Sequence, residues 1–134
     1  MHTFDTMCEQ FAIILNGESK VNRESCSVSL QREFQVTVQG YPSSSVVPAV
    51  VGFESMDKRG NAICLAEIAV LQEEIPAFLF ALTQQGLIVS ALHNHWLFTN
   101  PVIMYVHIQS VESPIHFARK MSLAFSYLNS YPIA

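Results

Sequence analysis

Apolar residues recur at helical spacing at the start of the chain. In TFDTMCEQFAIILNG, Met7, Cys8, Phe11, Ile14 and Leu15 fall on one face, which predicts an amphipathic helix. Thr6 with Glu9 has capping-box form. Asn16-Gly17 is a stop, since both residues tolerate the left-handed backbone that ends helices. The period then drops to two. SCSVSL and FQVTVQG alternate as strands do and predict a small hairpin, followed by the polar break YPSSS.

From Val46 the texture changes. VVPAVVGFES and AICLAEIAVL flank the turn MDKRGN and predict a second hairpin. EEIPAFLFALTQQG predicts a helix with Ile75, Phe78, Leu79 and Leu82 on one face. Glu73 and Glu74 sit at its positive end, Pro76 in its first turn and Gly86 at its close. LIVSALHNHW and VIMYVHIQSV are strands around LFTNP. Ser113-Pro114 opens a last helix with Phe117, Ala118, Met121, Phe125 and Leu128 on one side.

The order from Val46 is thus β-β-α-β-β-α. From Ala62 onward it matches a split β-α-β (ferredoxin-like) unit without its last strand, a place that the 46–55 strand fills through its hairpin. A right-handed crossover leaves room for 102–111 between 62–71 and 87–96. The expected order is therefore 46–55, 62–71, 102–111, 87–96, all antiparallel neighbours. The expectation is one α+β domain over 1–134. A helix and small hairpin occupy 1–45, and an antiparallel, permuted ferredoxin-like core with two helices on one face occupies 46–134.

Successive strand side chains point to opposite faces. The odd positions of 87–96 hold Leu87, Val89, Ala91, His93 and His95. Those of 102–111 hold Ile103, Tyr105, His107, Gln109 and Val111. A hairpin centred near residue 100 sets His93 opposite His107 and His95 opposite Tyr105, so three of the five histidines share one face. Ile88, Leu92, Trp96, Val102, Met104, Val106 and Ile108 line the other, a bed for the helices. The histidine face is itself largely apolar and needs a cover: the N-terminal helix, the small hairpin or a second subunit.

Two histidines at i and i+2, with a third across the ladder, can converge on one first-row metal. Cross-strand neighbours stand ~5 Å apart, and imidazole nitrogens span the rest to ~2.1 Å coordination. Three histidines leave a position open for water or substrate, as catalytic metal sites do. Glu67, alone among apolar neighbours in CLAEIAVL, lies on the strand beside His107. It is the candidate fourth ligand, because a buried carboxylate needs a partner. Tyr105 borders the pocket and Trp96 packs. The alternative is that the histidines line a cleft or subunit contact and bond to backbone; both readings stand here. Glu73-Glu74 reads as a complement to a helix dipole, and His2 and His116 as exposed. The nuclease motif named for H-N-H uses separated positions in a ββα fold, so Asn94 between two histidines does not make one.

Composition narrows the partners. Of 134 residues 50% are hydrophobic and only 13% charged, a lean surface that implies contact with another chain or a ligand. Net charge is −4, and the largest basic clusters are Lys58-Arg59 and Arg119-Lys120, far short of a phosphate-tracking stripe. Nucleic acid is not an expected partner. No apolar run approaches the ~20 residues of a membrane span, and the start MHTFDTMCEQF has acids where a signal peptide has a basic flank. Cys8, Cys26 and Cys64, odd in number and far apart, read as buried thiols of a reducing compartment, so cytoplasm is the default.

The stretch AEIAVLQEEIPAFLFALTQQGLIVSALHNHWLFTNPVIMYVHIQSVESPIHFARKM resembles the LppY/LpqO-like domain, known from mycobacterial lipoproteins and many other bacteria. The shared marks are a helix after a short acidic step, a strand ending in A-L-H-N-H, and a strand with a later histidine. REFQVTVQG is similar to the family's earlier strand, so the likeness covers most of 8–128. The resemblance implies site residues at His93, Asn94, His95 and His107, then at Glu67 and Glu73, and implies no activity. Longer members carry two copies of the domain, so a single copy implies a homodimer. Without a signal peptide or lipidation cysteine, membrane anchoring is not implied.

The expectation for function is a cytoplasmic homodimer with a metal or small-ligand site. His93, His95, His107 and Glu67 would hold zinc, iron or manganese, with Asn94 and Tyr105 as ligand contacts. Metal-assisted hydrolysis or lyase chemistry suits such a site. The alternative is a non-enzymatic binding or assembly domain whose histidines line a cleft or interface.

Overall fold

The computed structural model describes residues 3–134, so the expectation for His2 lies outside the described residues. Helix α1 (Thr3–Ile14) buries Cys8, Phe11 and Ala12. Thr6 and Glu9 lie inside it rather than at a cap. Asn16 takes the left-handed conformation (φ 59°) and the Gly17 N–H donates to the Ala12 carbonyl at 2.9 Å, which is the stop their residue types predict.

Strands β1 (Ser19–Asn22), β2 (Ser25–Gln31), β3 (Thr37–Val38), β4 (Tyr41–Pro42), β5 (Pro48–Glu54) and β6 (Ala62–Leu71) follow. A 3-10 turn (Gln72–Glu74) leads into α2 (Ile75–Gln84). Then come β7 (Ile88–His93), β8 (Thr99–Asn100), β9 (Ile103–Glu112) and α3 (Pro114–Phe125). Ser113 caps α3 by accepting from the His116 N–H, and Gly86 closes α2 at a φ of 77°.

The fold is α+β with a six-stranded sheet ordered β1-β2-β5-β6-β9-β7 and a three-stranded sheet ordered β4-β3-β8. The four strands β5-β6-β9-β7 stand in the expected order. Because β6 and β7 are each antiparallel to β9, they run parallel with β9 between them. One face of the large sheet carries Val28, Val51, Ile68, Val106 and Ile108. It packs with Phe11 of α1, Phe78 of α2 and Phe117, Met121 and Phe125 of α3 in one core. All three helices named here cover this face.

Four expectations are corrected. SCSVSL and FQVTVQG do not pair as a hairpin. Cys26, Val28 and Leu30 face the helices, so β2 joins the large sheet between β1 and β5, while β3 pairs with β4 and β8. The histidine strands are also offset by two residues from the expected register, with Ala91 opposite His107 and His93 opposite Tyr105. Their connection is not a tight turn, because Thr99-Asn100 leaves to pair with Thr37-Val38. A bulge between Val89 and Ala91 turns Val89 to the core and Ile88 to the outer face, the reverse of strict alternation. Finally, Cys8 and Cys26 form a disulfide, where free thiols were expected. The packing of α1 on β2 brings together cysteines that sequence spacing keeps apart. Cys64 is free and buried as expected, and burial pushes its thiol up to about 12.

The small sheet answers what covers the histidine face, in part. Val36, Val46 and Val47 pack on Ala69, Leu71, Ile103 and Tyr105 at one end of it. Below that end the outer face is open. Among the described residues no helix is long and apolar enough to cross a membrane.

A buried ion pair clamps the covered end. Arg32 meets Glu74 through two hydrogen bonds, Nη1 to Oε1 at 2.9 Å and Nη2 to Oε2 at 2.7 Å, with both side chains fully enclosed. Arg32 also donates to the Ala69 carbonyl, and Glu74 accepts from the N–H groups of Leu71 and Asn129. Glu74 is thus a buried anchor, a correction to its reading as a helix-dipole complement; Glu73 is exposed. Burial alone would raise the Glu74 carboxyl. The Arg32 bonds, the two backbone donors and the Arg32 charge outweigh it and hold the group below its ordinary value.

A folded value below the unfolded one means that this stability is present above the unfolded value and lost as pH falls through the folded one. The loss should therefore begin near the ordinary glutamate value of ~4.3 and finish below it. Glu74→Gln is expected to cost about 3–5 kcal/mol in denaturant unfolding at neutral pH and to flatten this acid limb, because Arg32 is left buried without its counter-ion.

Candidate functional site

Strand registers fix which side chains share the outer face. Val50, Glu67, His107 and Ala91 form one row across β5, β6, β9 and β7. Next to it Ala69, Tyr105 and His93 form a second row, under the small sheet. On the open side, Ser27, Gly52, Leu65, Gln109 and Ile88 form a third. His93 and His107 are therefore on one face in adjacent rows, and their side chains meet.

The Nε2 atoms of His93 and His107 stand 3.1 Å apart, with ring centroids separated by 5.0 Å. His93 Nδ1 lies 2.9 Å from the Asn94 carbonyl. A carbonyl only accepts, so His93 Nδ1 carries a proton. In the neutral ring its Nε2 is then a lone pair, and His107 Nε2–H is the donor between the two. Glu67 Oε2 lies 4.0 Å from the same His107 nitrogen, with 40% of the Glu67 side chain exposed. Glu67 therefore faces the histidines as expected, but it is a partly solvated carboxylate rather than a buried one. The constellation is a pair of imidazoles sharing one proton, with an acid beside it.

The remaining candidates are placed differently. β7 ends at His93, so His95 lies beyond the strand, exposed, with its ring 5.7 Å from that of His93 and 4.9 Å from Trp96. Asn94 contributes its backbone carbonyl, and its side chain is exposed. Tyr105 is buried; its hydroxyl donates to the Val46 carbonyl at 2.8 Å and accepts from Trp96 Nε1–H at 3.1 Å. Burial raises the Tyr105 hydroxyl, the Trp96 bond opposes this and the Glu67 charge adds to it, so the group stays protonated at neutral pH. Trp96 is exposed apart from this bond, and His116 is exposed as expected. Among the described residues, no group of three or more His, Cys, Asp and Glu is disposed to hold a metal ion.

A hollow of about 440 Å³ opens beside the pair, lined among others by Ser27, Val50, Gly52, Leu65, Glu67 and His107. Sequence reasoning missed Gly52 and Leu65. The parity argument used for the histidine strands would have found them, because Val50, Gly52 and Glu54 alternate with core residues in β5 as Ile63, Leu65 and Glu67 do in β6.

A family model described as Domain of Unknown Function (DUF1259) matches residues 9–127, and the chain belongs to that family. No curated protein matches it. No solved structure matches it either.

The proton placement is testable by long-range proton–nitrogen correlation at neutral pH. His93 should be the Nδ1–H tautomer, and the signal of the proton shared with His107 should vanish in His107→Ala. An Nε2–H tautomer at His93 would reverse the bond to His107 and leave the Asn94 carbonyl without its donor, overturning this placement.

Proposed function

We propose that this member of the DUF1259 family binds a small ligand on the open half of its large sheet, with His93 and His107 as the reactive centre and Glu67 beside them. The 3.1 Å contact between the two Nε2 atoms carries the reading. Two nitrogens bound at ~2.1 Å to one tetrahedral ion stand ~3.4 Å apart. A divalent ion can therefore replace the shared proton with little movement of either ring. His93 Nε2 is already aimed by the bond from its Nδ1–H to the Asn94 carbonyl, the backing that metal-ligating histidines commonly have. Glu67 needs a rotamer change to become a third ligand. Where it stays, it is placed to take a proton from a water near His107.

Zinc, iron or manganese there would polarise a carbonyl or activate water, which suits hydrolysis or lyase chemistry. A non-enzymatic binding domain is supported by the openness of the adjoining hollow. The likeness of ALHNH and its surroundings to LppY/LpqO-like domains belongs to the same reading, since its histidines fall on this face. The Cys8–Cys26 disulfide suits an oxidising compartment and weighs against cytoplasm.

Zinc or manganese titrated into metal-free protein is expected to bind with one ion per chain by calorimetry. His93→Ala or His107→Ala should abolish binding, and Glu67→Gln should weaken it about tenfold to a hundredfold. His95→Ala should have little effect. No uptake by the wild-type chain would leave the pair as a proton-sharing dyad alone.

A homodimer is part of the proposal. Tyr41, Leu97 and Phe98 are each more than two-thirds exposed (78%, 71% and 76%), and the Gln39 N–H bond to the Phe98 carbonyl joins their loops. Such a knob suits a self-contact. Light scattering is expected to give twice the 15.0 kDa chain mass. Leu97→Asp should return the monomer, and a wild-type monomer at micromolar concentration would remove the dimer from the proposal.

A further inference from the structure

The geometry points to the Gly52 hollow as a binding site for a small organic cation with an apolar body. The inference deepens the ligand-binding reading above, but needs no metal at the histidine pair.

The floor is apolar and closely packed at its centre. Leu65 and Val50 flank Gly52, and a Cβ on Gly52 would lie 2.6 Å from the Cys26 carbonyl oxygen, so β2 and β5 approach here as only glycine allows. Ser25 and Ser27 close one side with hydroxyls, and Ser90 and His107 close the other. The charged residues lining the space are Glu54 and Glu67; none is Lys or Arg. Glu54 is on the same strand as Gly52, and Glu67 is on the adjacent one. Lys20, exposed on the edge strand opposite Ser27, stands two strands away from Gly52.

A ligand in the hollow thus meets two carboxylates among its lining residues and no lining cation. An anion is repelled, and a neutral ligand gains only from the floor. An ammonium group gains from both carboxylates, while its apolar part covers Leu65, which is 45% exposed. The volume of about 440 Å³ lies in the range of small-molecule sites.

The test uses three probes built on one aromatic ring: benzyltrimethylammonium, benzyl alcohol and benzoate, each titrated into the labelled 134-residue chain. Benzyltrimethylammonium is expected to shift the amide signals of Ser27, Gly52 and Leu65 with the highest affinity, and benzoate should leave them unmoved. Glu54→Gln should weaken the cation roughly threefold to tenfold, as loss of one partly screened charge does. Leu65→Arg replaces an exposed side chain and should abolish binding while the rest of the amide spectrum is preserved. Benzoate binding as well as the cation, shifts confined to other residues, or undiminished binding in Leu65→Arg would each overturn the inference. Zinc titration of the same samples reads the histidine pair separately. Zinc uptake without cation binding removes this inference alone, and cation binding without zinc uptake removes only the metal.

Discussion

The buried pair of Arg32 and Glu74 is the constraint on which the arrangement of layers depends. Arg32 follows β2, Glu74 sits between β6 and α2, and their remaining bonds reach Ala69, Leu71 and the segment after α3. An ion pair this enclosed contributes little net stability, since desolvation offsets its attraction. Its effect is on position. Neither charge tolerates isolation, so the chain leaving β2 must turn over the end of β6, and Phe34 lies against the guanidinium as it does so. From there the chain runs into β3 and β4, which can only land on the outer face.

That landing divides the outer face in two. The covered half is buried under Val36, Val46 and Val47 and held by Tyr105, whose hydroxyl ties β9 to Val46. The open half begins one row lower, and the imidazole pair straddles the boundary, with His93 in the covered row and His107 in the open one. A donor–acceptor pair at such a border has one ring held by packing and the other reachable by solvent. This combination of fixed geometry and access is what a binding centre requires.

Much of this was legible from periodicity. AICLAEIAVL is β6 to the residue, α2 follows its proline and glycine signals, α3 begins at its serine and proline but stops at Phe125, short of Leu128, and the order of β5, β6, β9 and β7 follows from connection rules. His93, His107 and Glu67 share a face because a register error of two residues leaves parity unchanged. The bulge at Ser90 is an odd insertion, and it misplaces Ile88 and Val89 for the same reason. β1 could not be read, because the residues of SKVN are all exposed and show no apolar alternation. Arg32 in LQREFQ resembled any surface arginine; its partner is 42 residues away. The two cysteines likewise needed the packing of α1 on β2 before their spacing meant anything.

The disulfide has a consequence for where this molecule can yield. A terminal helix is ordinarily the first element to detach in partial opening. Here α1 is bonded covalently to β2, an inner strand of the large sheet, so it cannot peel away without a neighbour of β5 following it. At the opposite margin no such tie exists among the described residues: β7 is the outermost strand there, interrupted by its bulge and followed by an exposed loop. His93 is the last residue of that strand. The border of the sheet farthest from this covalent tie is therefore the one that carries half of the imidazole pair.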